Sequence, residues 1–156
     1  MLKKLLSVSN IFACVTFILS LITLILYLVN INIAGYYQGV RVSGVVVLLI
    51  LVMVFDCLII ARSLLKFEGI VDKVLDLASM ALKVLVPLFL MITVLLLAQS
   101  RIEGLGYIFF SNEDVAKEVA TPENIASANT AIVTIVFGAV AAVLGIVGAF
   151  FSPKKD

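Results

Sequence analysis

Long apolar runs separated by short polar stretches form the main pattern along this chain. About 20 consecutive apolar residues are needed for a helix to cross the hydrocarbon core of a bilayer. Four runs reach that length, and with their flanking residues they predict membrane spans over about 9–33, 44–66, 77–99 and 130–151. We therefore predict an all-α integral membrane protein in which residues 1–156 form one domain, a four-span antiparallel transmembrane helix bundle.

Helix-start signals lie between the third and fourth predicted spans. The stretch "SNEDVAKEVA" has Ser111 three residues before Asp114, a spacing that resembles a capping box and predicts a short helix over about 112–119. In "TPEN", Thr121 is placed to cap a helix whose first residue is Pro122. The last helix is therefore predicted to begin well before its membrane span.

Basic residues are distributed unequally between the two sides of the predicted bundle. The side with both termini and the middle loop has seven of them: Lys3, Lys4, Arg62, Lys66, Lys73, Lys154 and Lys155. The opposite side, which includes a predicted outer loop over 100–129, has three: Arg41, Arg101 and Lys117. Because cytoplasmic loops carry an excess of Lys and Arg, we expect a multi-pass cell-membrane protein with both termini in the cytoplasm.

Two spans carry seams of residues at alternating spacings of three and four. The packing seam of the last span consists of small residues: Ala131, Thr134, Gly138, Ala141, Gly145, Gly148 and Ser152. The polar seam of the first span consists of Thr16, Ser20, Thr23, Tyr27 and Asn30. Membrane helices associate where small residues let their backbones approach, so the packing seam predicts an interface within the chain or with another chain. The polar seam either faces the other helices or lines a water-filled path.

One carboxylate, Asp56, lies inside the second predicted span, in "VMVFDCLIIAR". A charge at the bilayer centre costs about 2.5–3.5 kcal/mol on insertion scales and less nearer the edge, so Asp56 needs a proton, water or a partner. A turn centred near Gly69 brings Lys83 level with Asp56, and Asp76 within reach of Arg62. We predict an intramembrane pair between Asp56 and Lys83 and a second pair between Arg62 and Asp76.

The pair between Asp56 and Lys83 has two interpretations. In the structural one, it sets the register of the second and third spans, since buried ion pairs contribute specificity more reliably than stability. In the functional one, Asp56 binds an ion or a proton and Lys83 restrains its ionisation, because ionisable groups within membranes commonly mark functional sites.

Composition narrows the function classes. The chain is 63% hydrophobic and 13% charged, whereas soluble domains are nearer half apolar and a quarter charged. A net charge of +1 does not indicate a nucleic-acid partner. The chain has no histidine, the usual acid–base residue at neutral pH and the commonest metal ligand. We expect neither enzymatic activity nor a cofactor or metal.

Two functional hypotheses follow. The first is a scaffold, assembly factor or accessory subunit that uses helix packing and the outer loop to bind copies of itself or another membrane protein. The second is a small oligomeric channel or an ion- or proton-coupled transporter that uses Asp56 and Lys83. In both, the lipid bilayer is the surrounding solvent.

Overall fold

Five α-helices, and no strand, are present in the residues that the computed structural model describes, 7–65 and 68–151. They are α1 (Val8–Asn32), α2 (Val45–Leu64), α3 (Gly69–Phe110), α4 (Glu113–Val119) and α5 (Pro122–Ala149). All but α4 are long and apolar enough to cross a membrane. The predicted all-α class with four helices of membrane-spanning length is confirmed.

The four long helices pack in a closed ring. Helix α1 contacts α2 and α5, and α3 contacts the same two helices from the other side, while α4 packs mainly on α3. The interior contains a cluster of buried apolar residues that includes Leu49 and Val52 of α2 and Leu90 and Leu97 of α3. The outer surface is also apolar, with many Val, Leu and Ile side chains exposed. Such a large exposed apolar surface suits lipid rather than water.

The ring has two distinct ends. The terminal end is the one that contains the start of α1 and the end of α5, which Lys83 links through Ser9 and Phe151. The end of α2 lies there too, since Asn10 Nδ2 donates to Ser63 Oγ at 2.5 Å. At the loop end, the connection over 33–44 folds against α1, because the backbone N–H of Val42 donates to the Tyr27 hydroxyl at 2.7 Å. Different polar residues lie at the two ends of the ring.

Helix α3 is longer than the predicted third span. It continues past residue 99 to Phe110, so much of the predicted outer loop is helical. The added turns bury Arg101, Gly104 and Ile108. Their spacing continues the buried face of the preceding turns. Packing against the connection over 33–44 stabilises these added turns, which the apolar pattern did not predict.

The cap of α5 is as predicted. The Thr121 hydroxyl accepts from the backbone N–H of Asn124 at 3.3 Å, and Pro122 is the first helical residue. Proline suits this position because the missing N–H would have no helical partner there. The last helix therefore begins at Pro122, before the predicted span over 130–151, as this cap predicted.

The cap of α4 differs by one residue from the prediction. Asn112, rather than Ser111, precedes the helix, and its Oδ1 accepts from the backbone N–H of Val115 at 3.0 Å. The Ser111 hydroxyl instead donates to the Tyr107 carbonyl at 2.7 Å. Ser111 therefore satisfies a carbonyl at the end of α3 and is not available to cap α4.

Candidate functional site

A small cavity of about 20 Å³ lies at the terminal end and is lined by residues of all four long helices. Its polar lining residues are Ser9 and Thr16 from α1, Asp56 from α2 and Lys83 from α3. The remaining lining residues are apolar or glycine, and α5 contributes Gly145, Gly148 and Ala149. The cavity therefore brings together Asp56 and Lys83, the residues of the predicted intramembrane pair.

Asp56 lies on the buried face of α2. The buried residues Leu49, Val52, Asp56 and Ile59 follow helical spacing, so the carboxylate points inward with its apolar neighbours. The residue is 1% exposed, and its Oδ2 has no hydrogen-bond partner in the described part of the chain. A buried carboxylate without donors is costly in its charged form, so this oxygen is available to a proton, a water molecule or a bound ion.

Lys83 lines the same cavity but bonds to other groups. Its ammonium donates to Ser9 Oγ at 2.7 Å and to the Phe151 carbonyl at 2.9 Å. No direct ion pair between Asp56 and Lys83 is formed among the residues with described positions. Lys83 instead joins the start of α1 to the end of α5.

The position of the inner turn explains this difference. The predicted pairing placed the turn at Gly69, but α2 already ends at Leu64 and Gly69 is the first residue of α3, with φ +71°. Helix α3 therefore starts earlier than the depth match required, and Lys83 lies on its side towards α1 and α5. The long side chain reaches the helix ends there rather than Asp56.

Arg62 connects the ends of α2 and α3. Its Nη2 lies 2.6 Å from Asp76 Oδ1, the predicted partner, and 2.5 Å from Asp72 Oδ1. Its Nη1 also donates to the Leu65 carbonyl at 3.2 Å. This network is partly exposed, and exposed ion pairs contribute only about 0–1 kcal/mol each. It supports the turn rather than forming part of the cavity.

The packing seam of α5 is buried inside the chain. Its described members, 131 to 148, are all buried, while Ser152 lies outside the described residues. A Cβ at Gly145 would lie 3.3 Å from Pro87 Cβ, and one at Gly148 would lie 2.8 Å from Phe12 Cβ. The seam therefore packs α5 against α1 and α3 of the same chain.

The polar seam of α1 also faces the interior. All five members are buried. Thr23 donates to the Leu19 carbonyl at 2.8 Å, and Asn30 Nδ2 donates to the Ser127 carbonyl at 2.7 Å. The Ser20 hydroxyl is buried without a hydrogen-bond partner in the described ranges. The seam thus runs from the cavity, at Thr16, to the loop end, at Asn30.

Arg101 at the loop end is a buried charge, although it was predicted only as a basic residue of the outer loop. It is 1% exposed, and its Nη2 donates to the Val40 carbonyl at 2.9 Å. The guanidinium carbon lies 4.5 Å from the centre of the Tyr37 ring, a cation–π contact. The helical spacing of Leu97, Arg101 and Gly104 is the sequence signal that could have placed Arg101 on the buried face of α3.

Tyr37 holds Arg101 from the other direction as well. Its hydroxyl donates to the Arg101 carbonyl at 2.6 Å, and its backbone N–H donates to Ser127 Oγ at 3.3 Å. Burial raises the pKa of the Tyr37 phenol above its usual value, and the nearby charge of Arg101 partly opposes this rise. The close approach of Tyr36 to Gly104 leaves no room for a larger residue at Gly104.

A second depression lies on the outside of the ring, between α3 and α5. It encloses about 310 Å³, and its lining residues are apolar: Val84, Pro87, Leu88, Met91, Ile146, Ala149 and Phe150. Within residues 7–65 and 68–151, no group of three or more His, Cys, Asp or Glu residues is placed to hold a metal.

Comparison of the chain with protein-family models, with curated protein sequences and with solved structures finds no match.

Proposed function

We propose that this chain is a small membrane protein that moves a proton or a small ion, as a channel or a coupled transporter, with Asp56 as the binding group. One observation carries the proposal. Asp56 Oδ2 is buried without a hydrogen-bond partner in the described chain, and it faces a cavity that also holds the Lys83 ammonium. Ionisable groups of this kind within membranes commonly mark ion or proton paths.

The polar seam of α1 supports the same proposal. It begins at the cavity and continues through Ser20, whose hydroxyl has no partner in the described residues, towards Asn30. Hydroxyl groups can bond back to their own helix and so tolerate burial, but an unsatisfied one is available to a passing water or ion. The seam places polar side chains at intervals between the cavity and the loop end.

The proposed arrangement is an antiparallel bundle in the cell membrane with both termini in the cytoplasm. The contact between Asn10 and Ser63 supports the antiparallel order of α1 and α2. The excess of basic residues at the terminal end supports a cytoplasmic location for that end. In this orientation, the Asp56 cavity is nearer the cytoplasmic surface. The proposed protein is non-enzymatic and needs no cofactor.

A second candidate is an accessory or assembly subunit that binds another membrane protein or a copy of itself. It is favoured by the exposed aromatic residues at the end of α3, where Phe110 is 87% exposed, and by the exposed helix α4 beside them. The packing seam, which first suggested a partner, is occupied by α1 and α3 of the same chain. The candidate therefore depends on the end of α3 and on α4.

Ion flux into vesicles tests the main proposal. The full chain would be reconstituted, and uptake of H⁺, Na⁺ and K⁺ would be measured for the native protein, Asp56→Asn and Asp114→Asn. Asp114 is an exposed carboxylate on α4 and serves as the matched control. We expect flux of one of these ions, its loss to the level of empty vesicles in Asp56→Asn, and normal flux in Asp114→Asn. Absence of flux of any of the three ions would refute the proposal.

Gentle purification from native membranes tests the second candidate. A defined second protein that copurifies with the native chain, and is lost when Phe110 is replaced by Ser, would support an accessory subunit. Purification of the chain without a stoichiometric companion or a defined oligomer would count against it.

A further inference from the structure

We infer that the ligand of the Asp56 cavity is a proton, delivered to Asp56 through a single bound water molecule, and that the cavity does not take a metal cation. The inference rests on the proposed ion-binding role and names the ion. It is drawn from the size of the cavity and from the number of its oxygen atoms.

The size of the cavity suits one water molecule. A cavity of roughly 10–15 Å³ or more is needed to hold a water, which then requires two to four polar partners. The cavity measures about 20 Å³, and four of its lining residues are polar. The Asp56 carboxylate oxygen without a partner gives such a water an acceptor. A cation with its own hydration shell does not fit in this volume.

The oxygen atoms of the cavity are too few for a bare metal ion. Calcium takes six to eight oxygen ligands, and magnesium takes six in a strict octahedron. Among the lining residues, only one carboxylate and two hydroxyls, those of Asp56, Ser9 and Thr16, supply side-chain oxygen atoms. A proton needs no such shell, because it forms a covalent O–H bond with one oxygen.

The charges around Asp56 do not distinguish a proton from a metal ion. Helix α3 contributes the Lys83 ammonium, which is already held by Ser9 and the Phe151 carbonyl. Helix α1 contributes only the hydroxyls of Ser9 and Thr16, and α5 contributes two glycines and an alanine. Lys83 is the only other charged residue among the described lining residues. Its positive charge opposes any cation beside Asp56, the proton included, so the choice between a proton and a metal ion depends on the cavity volume and on the number of oxygen ligands.

The proton transfer balances without any other reactant. The bound water accepts a proton from a hydronium ion on the terminal side and donates one of its own protons to Asp56 Oδ2. One O–H bond of the hydronium ion breaks and one forms on the bound water, while another O–H bond of that water breaks and one forms on the carboxylate. Two neutral water molecules and a neutral carboxyl group remain. Lys83 stays protonated throughout.

Infrared spectroscopy of the full chain in lipid nanodiscs tests the inference, because a protonated carboxyl group has its own C=O stretching band. The pH would be varied at one ionic strength, set by choline chloride, by NaCl or by CaCl₂, for the native protein, Asp56→Asn and Asp114→Asn. We expect a band that disappears as the pH rises, is absent in Asp56→Asn and persists in Asp114→Asn. Its midpoint should be the same in all three salt conditions at matched ionic strength.

Two results would overturn the inference. The first is a native spectrum in which no carboxyl band depends on Asp56 at any pH. The second is a midpoint that falls as Na⁺ or Ca²⁺ is added at constant ionic strength, because this would mean that the metal competes with the proton. Asp56→Glu keeps the carboxyl group and should shift the band rather than remove it, which distinguishes a lost group from a misfolded variant.

The spectroscopic result is separable from the flux result. A band that depends on Asp56, in a protein that shows no flux, would leave the proton site standing and refute the transport function. Sodium or potassium flux that depends on Asp56 would support the transport function and refute the proton as its ligand.

Discussion

The two ends of the helix ring bury opposite charges and treat them differently. At the loop end, the Arg101 guanidinium donates to the Val40 carbonyl and lies against the Tyr37 ring, with one of its nitrogens, Nη1, unpartnered in the described chain. At the terminal end, Asp56 Oδ2 faces a cavity without any donor bonded to it in the described chain. Arginine keeps its proton at all accessible pH values, whereas a carboxylate can gain or lose one.

The difference separates a structural charge from a functional one. Arg101 is surrounded by groups that suit one permanent charge, and its contacts attach the connection over 33–44 to α3. Asp56 is surrounded by helices that fit closely except at one water-sized space. A buried group that can change its charge, beside room for a water, is suited to binding and release. The comparison therefore predicts that stability depends on Arg101 and activity on Asp56.

The largest loss of stability is expected from Arg101→Ala. It removes the bond to Val40 and the contact with Tyr37 and leaves a cavity, so the free energy of unfolding should fall by about 3 kcal/mol. Unfolding by increasing SDS in mixed micelles measures this. Arg41→Ala, in an exposed part of the same connection, should change it by no more than about 0.5 kcal/mol. Equal losses in the two variants would refute a structural role for Arg101.

The next largest effect is expected from Gly148→Ala. The added Cβ would lie 2.8 Å from Phe12 Cβ, and overpacking of this kind costs about 1–3 kcal/mol. Gly106→Ala is the matched control, because it lies in α3 with nothing within 4 Å of the added Cβ. It should be neutral or stabilising by up to about 1 kcal/mol. A Gly148→Ala variant with the same free energy of unfolding as the native protein would mean that α5 is not packed closely against α1.

A smaller effect is expected from Lys83→Met. It removes the bonds to Ser9 and to the Phe151 carbonyl, which should lower the free energy of unfolding by about 1–1.5 kcal/mol. Because the bonds that Lys83 makes are to Ser9 and Phe151 and not to Asp56, adding Asp56→Asn to Lys83→Met should not restore stability. Partial restoration of stability in the double variant would instead indicate the direct ion pair predicted from the sequence.

The smallest effect on stability is expected from Asp56→Asn. The amide has nearly the same shape, and Oδ2 loses no hydrogen bond that the described residues make, so unfolding should change by less than about 1 kcal/mol. Ion flux, in contrast, should be lost. Unfolding in SDS and flux in vesicles, measured on the same preparation, check both parts. A variant that is strongly destabilised, or that retains full flux, would contradict the contrast between the two ends.

Some of the candidate site was predictable because it depends on helical period. Helical spacing selected the buried seams of α1 and α5, and the structure places their described members in the interior. The same spacing in α3 would have placed Arg101 on the buried face, had the predicted helix been continued past residue 99. Only the contacts of Tyr37 and Tyr36 with the end of α3 show that the helix continues there.

The sequence by itself determined the four long apolar helices and the cap at Thr121, because each depends on residues within a few turns of one helix. The tertiary structure alone decided that Lys83 bonds to Ser9 and Phe151 and that Arg101 meets Tyr37. Such partners depend on the relative depth and rotation of different helices. A turn that ends a few residues earlier changes both, and no local pattern records where it ends.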